Sequence, residues 1–141
     1  MKKRIEILIN PFIRIAGMQA LAWGILGLVI STLLSWASGY HYHGLLHFGP
    51  APNPAWWCYL AEHLIVWLVP ATLFYLGGLI FSHSKIRIID VFGTILFAQL
   101  PMLVMNLINF LPPMQVLSQI DPTMSPAEIL SMPYFHLAIV L

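Results

Sequence analysis

"IAGMQALAWGILGLVISTLLSW", Ile15 to Trp36, is a run of 22 residues without a single charge. At 1.5 Å per residue a helix of that length reaches about 33 Å, enough to cross a hydrocarbon core about 30 Å thick. A cleaved leader would have a shorter apolar region and a small-x-small cleavage site, for which "LLSWASGYH" is a poor candidate, so the run is expected to be a retained span. Two more runs qualify: Tyr59 to Phe81, with Glu62 and His63 near its start, and Ile88 to Leu111, charged only at Asp90. Composition agrees, with 60% hydrophobic and 8% charged residues, against about 45 to 50% and about 25% in soluble domains. The reading is an all-α, polytopic helical membrane protein, one membrane domain over residues 1–141 with three full transmembrane helices. The tail "MPYFHLAIVL" begins a fourth; Tyr134 to Leu141, about 12 Å of helix, cannot cross. That segment is expected either to dock at the interface or to continue in a longer chain.

Charge sets the threading. All six Lys and Arg lie before the first run (Lys2, Lys3, Arg4, Arg14) or between the second and third (Lys85, Arg87). By the positive-inside rule the N-terminus and the "SHSKIR" turn are cytoplasmic, and Ser38 to Cys58 and Pro112 to Pro133 face the other side. The net charge of +1 and the lack of a basic patch beyond the first residues exclude nucleic acid as a partner. Cys58 is the sole cysteine, which excludes a CxxC motif. In residues 1–14, Ile5, Leu8, Ile9 and Phe12 fall at i, i+3, i+4 and i+7, which fits a short interfacial helix ended by Asn10-Pro11, or else a basic leader that only sets topology.

Inside the spans, small and polar residues carry the information. Gly17, Ala20, Gly24, Gly27, Ser31 and Ser38 follow three-and-four spacing and would let a neighbouring helix approach closely. Gln99, Asn106 and Asn109 would share a face of an unbroken third helix, bonding to other helices or lining a substrate path. Pro70 and Pro101 free the carbonyls of Val66 and Phe97.

"GYHYHGLLHFGPAPNPAWWCYLAEH", Gly39 to His63, holds four of the six histidines. A zinc site needs neutral imidazoles converging on one point. His43 and His47 are i, i+4 and one helical turn would present both; His41 joins them only if a glycine breaks the helix. Glu62 and His63 enter the second span from the same side, and His136 lies on that side too. The candidate metal set is therefore His41, His43, His47, Glu62 and His63, with zinc as the ion; otherwise no cofactor is expected. The competing reading is an interfacial belt with Trp36, Tyr40, Tyr42, Trp56, Trp57 and Tyr59, the loop being carried back to the membrane by a "PAPNP" strut. No HExxH or GxSxG motif is present, and the Ser38, His41, Glu62 combination has no nucleophile elbow. No catalytic residue and no enzyme activity are expected.

The segment "LVPATLFYLGGLIFSHSKIRIIDVFGTILFAQLPMLVMNLINF", Leu68 to Phe110, resembles the bacterial branch of the YIP family, membrane proteins whose eukaryotic members interact with Rab-type GTPases. The likeness lies in the span ending at Gly77 and Gly78, the basic turn Ser82 to Arg87, the "AQLP" of Ala98 to Pro101, and the leading "INPF" of Ile9 to Phe12. It implies a five-span helical bundle without catalytic residues or cofactor, and it carries over none of the histidines. The expected function is a YIP-type protein of the bacterial inner membrane that packs with itself or another membrane protein; the alternatives are a transporter subunit and a metal-binding protein.

Overall fold

The computed structural model describes residues 15–45, 47–50, 54–121 and 123–140. The expected interfacial helix over 1–14 and most of the "PAPNP" strut lie outside them. Three stretches, Gly17–Ser38, Trp56–Phe81 and Ile88–Ile108, are long and apolar enough to cross a membrane.

Helix α1 (Gly17–Ser38) ends because Gly39 takes φ 73° and ψ 10° and its N–H reaches the Ser35 carbonyl at 3.0 Å. Glycine adopts this left-handed conformation without steric cost, and it turns the chain off the helix axis. The chain then forms an antiparallel hairpin of β1 (Tyr40–Tyr42) and β2 (Phe48–Pro50), with His41 opposite Gly49. The helical turn that could have presented His43 and His47 together is not formed. The alternation of Tyr and His along "YHYH", bounded by glycines, wins instead as a period-two pattern.

Helix α2 (Trp56–Phe81) starts three residues earlier than expected and runs 26 residues, about 39 Å, more than a hydrocarbon core requires. The third span is not one α-helix. It comprises α3 (Ile88–Ala98) and α4 (Met102–Ile108), joined by a tightened turn. Pro101 has no N–H to give to Phe97, and the backbone responds with i to i−3 bonds: Leu100 to Phe97, Met102 to Gln99, Leu103 to Leu100 and Val104 to Pro101, at 2.9 to 3.1 Å. Each 3₁₀ step turns the chain about 120° instead of about 100°. Several in succession rotate Asn106 out of line with Gln99.

The core is a seam between α1 and α3. The buried stripe of α1 is Gly17, Ala20, Gly24, Gly27, Ser31 and Ser35; Ser35, not the expected Ser38, continues it, since four residues past Ser31 return to the same face. A Cβ on Gly24 would lie 2.6 Å from Leu96 Cγ, and one on Gly93 would lie 2.7 Å from the Gly17 carbonyl oxygen. The two backbones therefore touch, which only glycine permits here. Outward, Phe74, Ile80, Leu33 and Trp23 are exposed, the surface of a protein whose solvent is lipid.

Residues 112–133, expected as a loop, carry two short helices, α5 (Pro112–Leu117) and α6 (Pro126–Ser131). Helix α6 is opened by a capping box in which the Glu128 N–H donates to Ser125 Oγ and the Ser125 N–H donates to Glu128 Oε2. The tail forms α7 (Phe135–Val140), which packs against α5 through buried Phe135, Ala138 and Val116.

Candidate functional site

Two polar assemblies sit at the end of the bundle where the hairpin meets α2. The inner one joins α1, α2 and α4. Asn106, 1% exposed, donates from Nδ2 to Ser31 Oγ and accepts at Oδ1 from Ser35 Oγ at 3.3 Å. Ser31 Oγ donates to His63 Nε2 at 2.9 Å, and His63 Nδ1 donates to the Tyr59 carbonyl at 2.8 Å. A carbonyl only accepts, so the proton is on Nδ1 and Nε2 is the acceptor. Every bond in the chain then has one donor and one acceptor: Asn106 to Ser31, Ser31 to His63, His63 to Tyr59. Beside it lies a cavity of about 20 Å³ bordered by Ser31, Tyr42, His63 and Gln99, room for one water.

Gln99 works on a different helix. Its Nε2 donates to the Val66 carbonyl at 3.0 Å, the very carbonyl that Pro70 deprives of its backbone partner. An amide from one span thus repairs a defect that proline makes in another. Gln99→Leu is expected to cost about 1 kcal/mol, and Pro70→Ala, which restores the Val66 bond within α2, should remove most of that cost. Unfolding midpoints of the two single variants and the double variant in detergent give the coupling; strictly additive losses would contradict the pairing.

The face expected for Gln99, Asn106 and Asn109 is therefore divided. Gln99 turns to α2, Asn106 to α1, and Asn109 is buried with its Nδ2 unpartnered among the described residues, while its backbone carbonyl accepts from Gln115 Nε2 at 2.6 Å. The rotation through the 3₁₀ turn at Pro101 separates Gln99 from Asn106.

The outer assembly is built on the hairpin. Glu62, nearly two turns into α2, reaches back to β1. Its two carboxylate oxygens lie 3.0 Å from His41 Nδ1, and Oε2 also accepts the Tyr42 N–H at 3.1 Å. Since a carboxylate accepts, His41 holds a proton on Nδ1 and turns Nε2 away from Glu62. That nitrogen is buried and has no hydrogen-bond partner among the described residues. Leaving such an atom unpaired costs about 1 to 3 kcal/mol. The His41 ring lies 4.4 Å from that of His43, which lies 5.2 Å from that of His47 (centroid distances). His43 and His47 are exposed, and the loop is closed by the His43 N–H on the His47 carbonyl at 2.9 Å.

The hairpin is anchored at its base. Tyr40, 2% exposed, donates its hydroxyl to the Met114 carbonyl, tying β1 to α5. Burial raises the Tyr40 and Tyr42 phenols above the ordinary tyrosine range, so both remain protonated at neutral pH.

The five candidate metal residues are thus split. His41, His43, His47 and Glu62 are brought together at the hairpin, whereas His63 is committed to Ser31 and Tyr59 and meets the hairpin through the Tyr42 ring, 5.0 Å away. His136 is exposed on α7, its ring against Phe135. Among the described residues no three His, Cys, Asp or Glu groups stand close enough together to hold an ion as their side chains are placed. Sequence reading overlooked the Ser31–His63 pair, and it grouped Glu62 with His41 without their direct hydrogen bond. The available signal was the alternating "YHYH", which places His41 and His43 on one side of a ribbon. No family model, curated protein or solved structure matches the chain.

Proposed function

We propose that the chain is a YIP-type integral membrane protein of a bacterial cytoplasmic membrane, with its N-terminus inside. It is non-enzymatic and acts through helix packing with itself or another membrane protein in membrane organisation. The observation that carries this reading over a transport path is the pairing of most intramembrane polar groups, Asn109 Nδ2 being the exception among the described candidates. Asn106, Ser31, Ser35 and His63 are bonded in one chain and Gln99 to Val66; a solute path needs such groups to face an opening.

The same packing consumes the small-residue stripe of α1 inside the chain, so contacts with a partner fall to another surface. Helix α2 offers one. A Cβ on Gly78 would meet Ile86 at 2.6 Å, but a Cβ on Gly77 would meet nothing within 4 Å. Glycine costs a helix interior about 1 kcal/mol relative to alanine, and packing within the chain gives no reason for Gly77. Close approach of another helix does.

The test places the single thiol at that position, Gly77→Cys with Cys58→Ser, and treats native membranes with a short bismaleimide. The expected product is an adduct with a second copy or another integral membrane protein. Absence of an adduct, together with solute flux in proteoliposomes that Asn106→Leu abolishes, would replace this reading with transport.

A further inference from the structure

The geometry points to a divalent transition-metal site of the zinc class on the outer hairpin, with His41, His43 and His47 as ligands and Glu62 as the residue that positions His41. The hairpin register produces the set. His41 in β1 and His43, one residue past its end, are two apart, and so are His47, one residue before β2, and Gly49 within it; His41 lies opposite Gly49, and the His43 N–H donates to the His47 carbonyl, extending the ladder by one step. Side chains two apart on a strand share a face, so these four positions form a quartet of three imidazoles and one bare Cα. A Cβ at Gly49 would lie 3.6 Å from His43 Nε2 and 3.6 Å from His47 Nε2. The missing side chain leaves the space over which those two nitrogens converge.

A second, independent observation concerns His41. Its residue is 8% exposed, its Nδ1 is fixed by both oxygens of Glu62, and its Nε2 is buried without a partner among the described residues. This is the arrangement in which a carboxylate sets the tautomer of an imidazole so that the far nitrogen offers a lone pair to a metal. An interfacial aromatic belt requires neither the carboxylate nor the unpaired nitrogen. Three imidazole ligands suit zinc, and a fourth position is left for water or a partner's side chain. Because no three of the described donors already stand within binding distance, the exposed rings of His43 and His47 must turn toward His41 when the ion binds. Binding therefore locks the loop.

The experiment uses the full chain, purified in mild detergent without a histidine tag, and titrates Zn²⁺ and Co²⁺ at neutral pH. The expected result is one ion per chain and, for Co²⁺, the visible absorption of a tetrahedral site. The His43→Ala/His47→Ala variant should bind no stoichiometric metal, and its exposed positions leave helicity unchanged. Glu62→Gln should weaken binding by about 10- to 100-fold, and Gly49→Val should weaken it by filling the space between the imidazoles. His136→Ala should bind as the parent does. Failure of the parent to take up stoichiometric metal, or undiminished binding by the His43→Ala/His47→Ala variant, overturns the site. Either failure leaves the helix-packing reading untouched, since that rests on the adduct at Gly77.

Discussion

Gly93→Leu is expected to leave little folded protein. A Cβ at this position would meet the Gly17 carbonyl oxygen at 2.7 Å and the Leu21 nitrogen at 3.0 Å. Both are backbone atoms of α1, so no side-chain rotation relieves the clash and the two helices must separate. Forcing extra carbon into a packed contact costs about 1 to 3 kcal/mol where side chains can adjust, and here they cannot. Separation would also uncover Leu96 and Ala20, 1% and 0% exposed. The measurement is the fraction of protein eluting as a single species in mild detergent, with the unfolding midpoint of whatever survives. Gly77→Leu is the control, because a Cβ there meets open space and should leave the isolated chain at least as stable. A Gly93→Leu protein with parental stability would show that α1 and α3 are not in backbone contact.

The second large effect is expected at Asn106. Asn106→Leu removes the acceptor of the Ser35 hydroxyl and the donor to Ser31 at a position 1% exposed. Hydrogen bonds between membrane helices average about 0.6 kcal/mol and reach about 1.7; losing two and leaving buried hydroxyls short of partners should cost about 1 to 3 kcal/mol. The sign of a further change separates a polar chain from a merely tight fit. Replacing Ser35 by alanine in the Asn106→Leu background removes the stranded hydroxyl and should recover part of the stability, while Ser31 is left in place because it still donates to His63. Further loss on adding that alanine would mean that Ser35 bonds elsewhere.

Legibility differed between the spans and the site. The 22 uncharged residues of the first run, and two more runs like it, settle an all-helical membrane protein, because lipid offers the backbone no hydrogen-bond partner and each span must satisfy its own. The small-residue spacing from Gly17 to Ser31 was equally plain, and the seam with α3 uses it. Proline at 70 announced a free carbonyl at Val66, but the sequence has no term that names Gln99 as its partner.

By itself the sequence determined the number, type and approximate limits of the spans, because these depend only on local periodicity and on the solvent. Only the tertiary structure decided which polar groups meet. A 3₁₀ turn at Pro101 rotates Asn106 away from Gln99 and onto Ser31, and a left-handed Gly39 turns His41 toward Glu62. Those partners are 75 and 21 residues apart in the chain. Hydrogen bonds act within about 3 Å, so pairs so distant in sequence are chosen by the path of the backbone between them, which small rotations at single turns redirect.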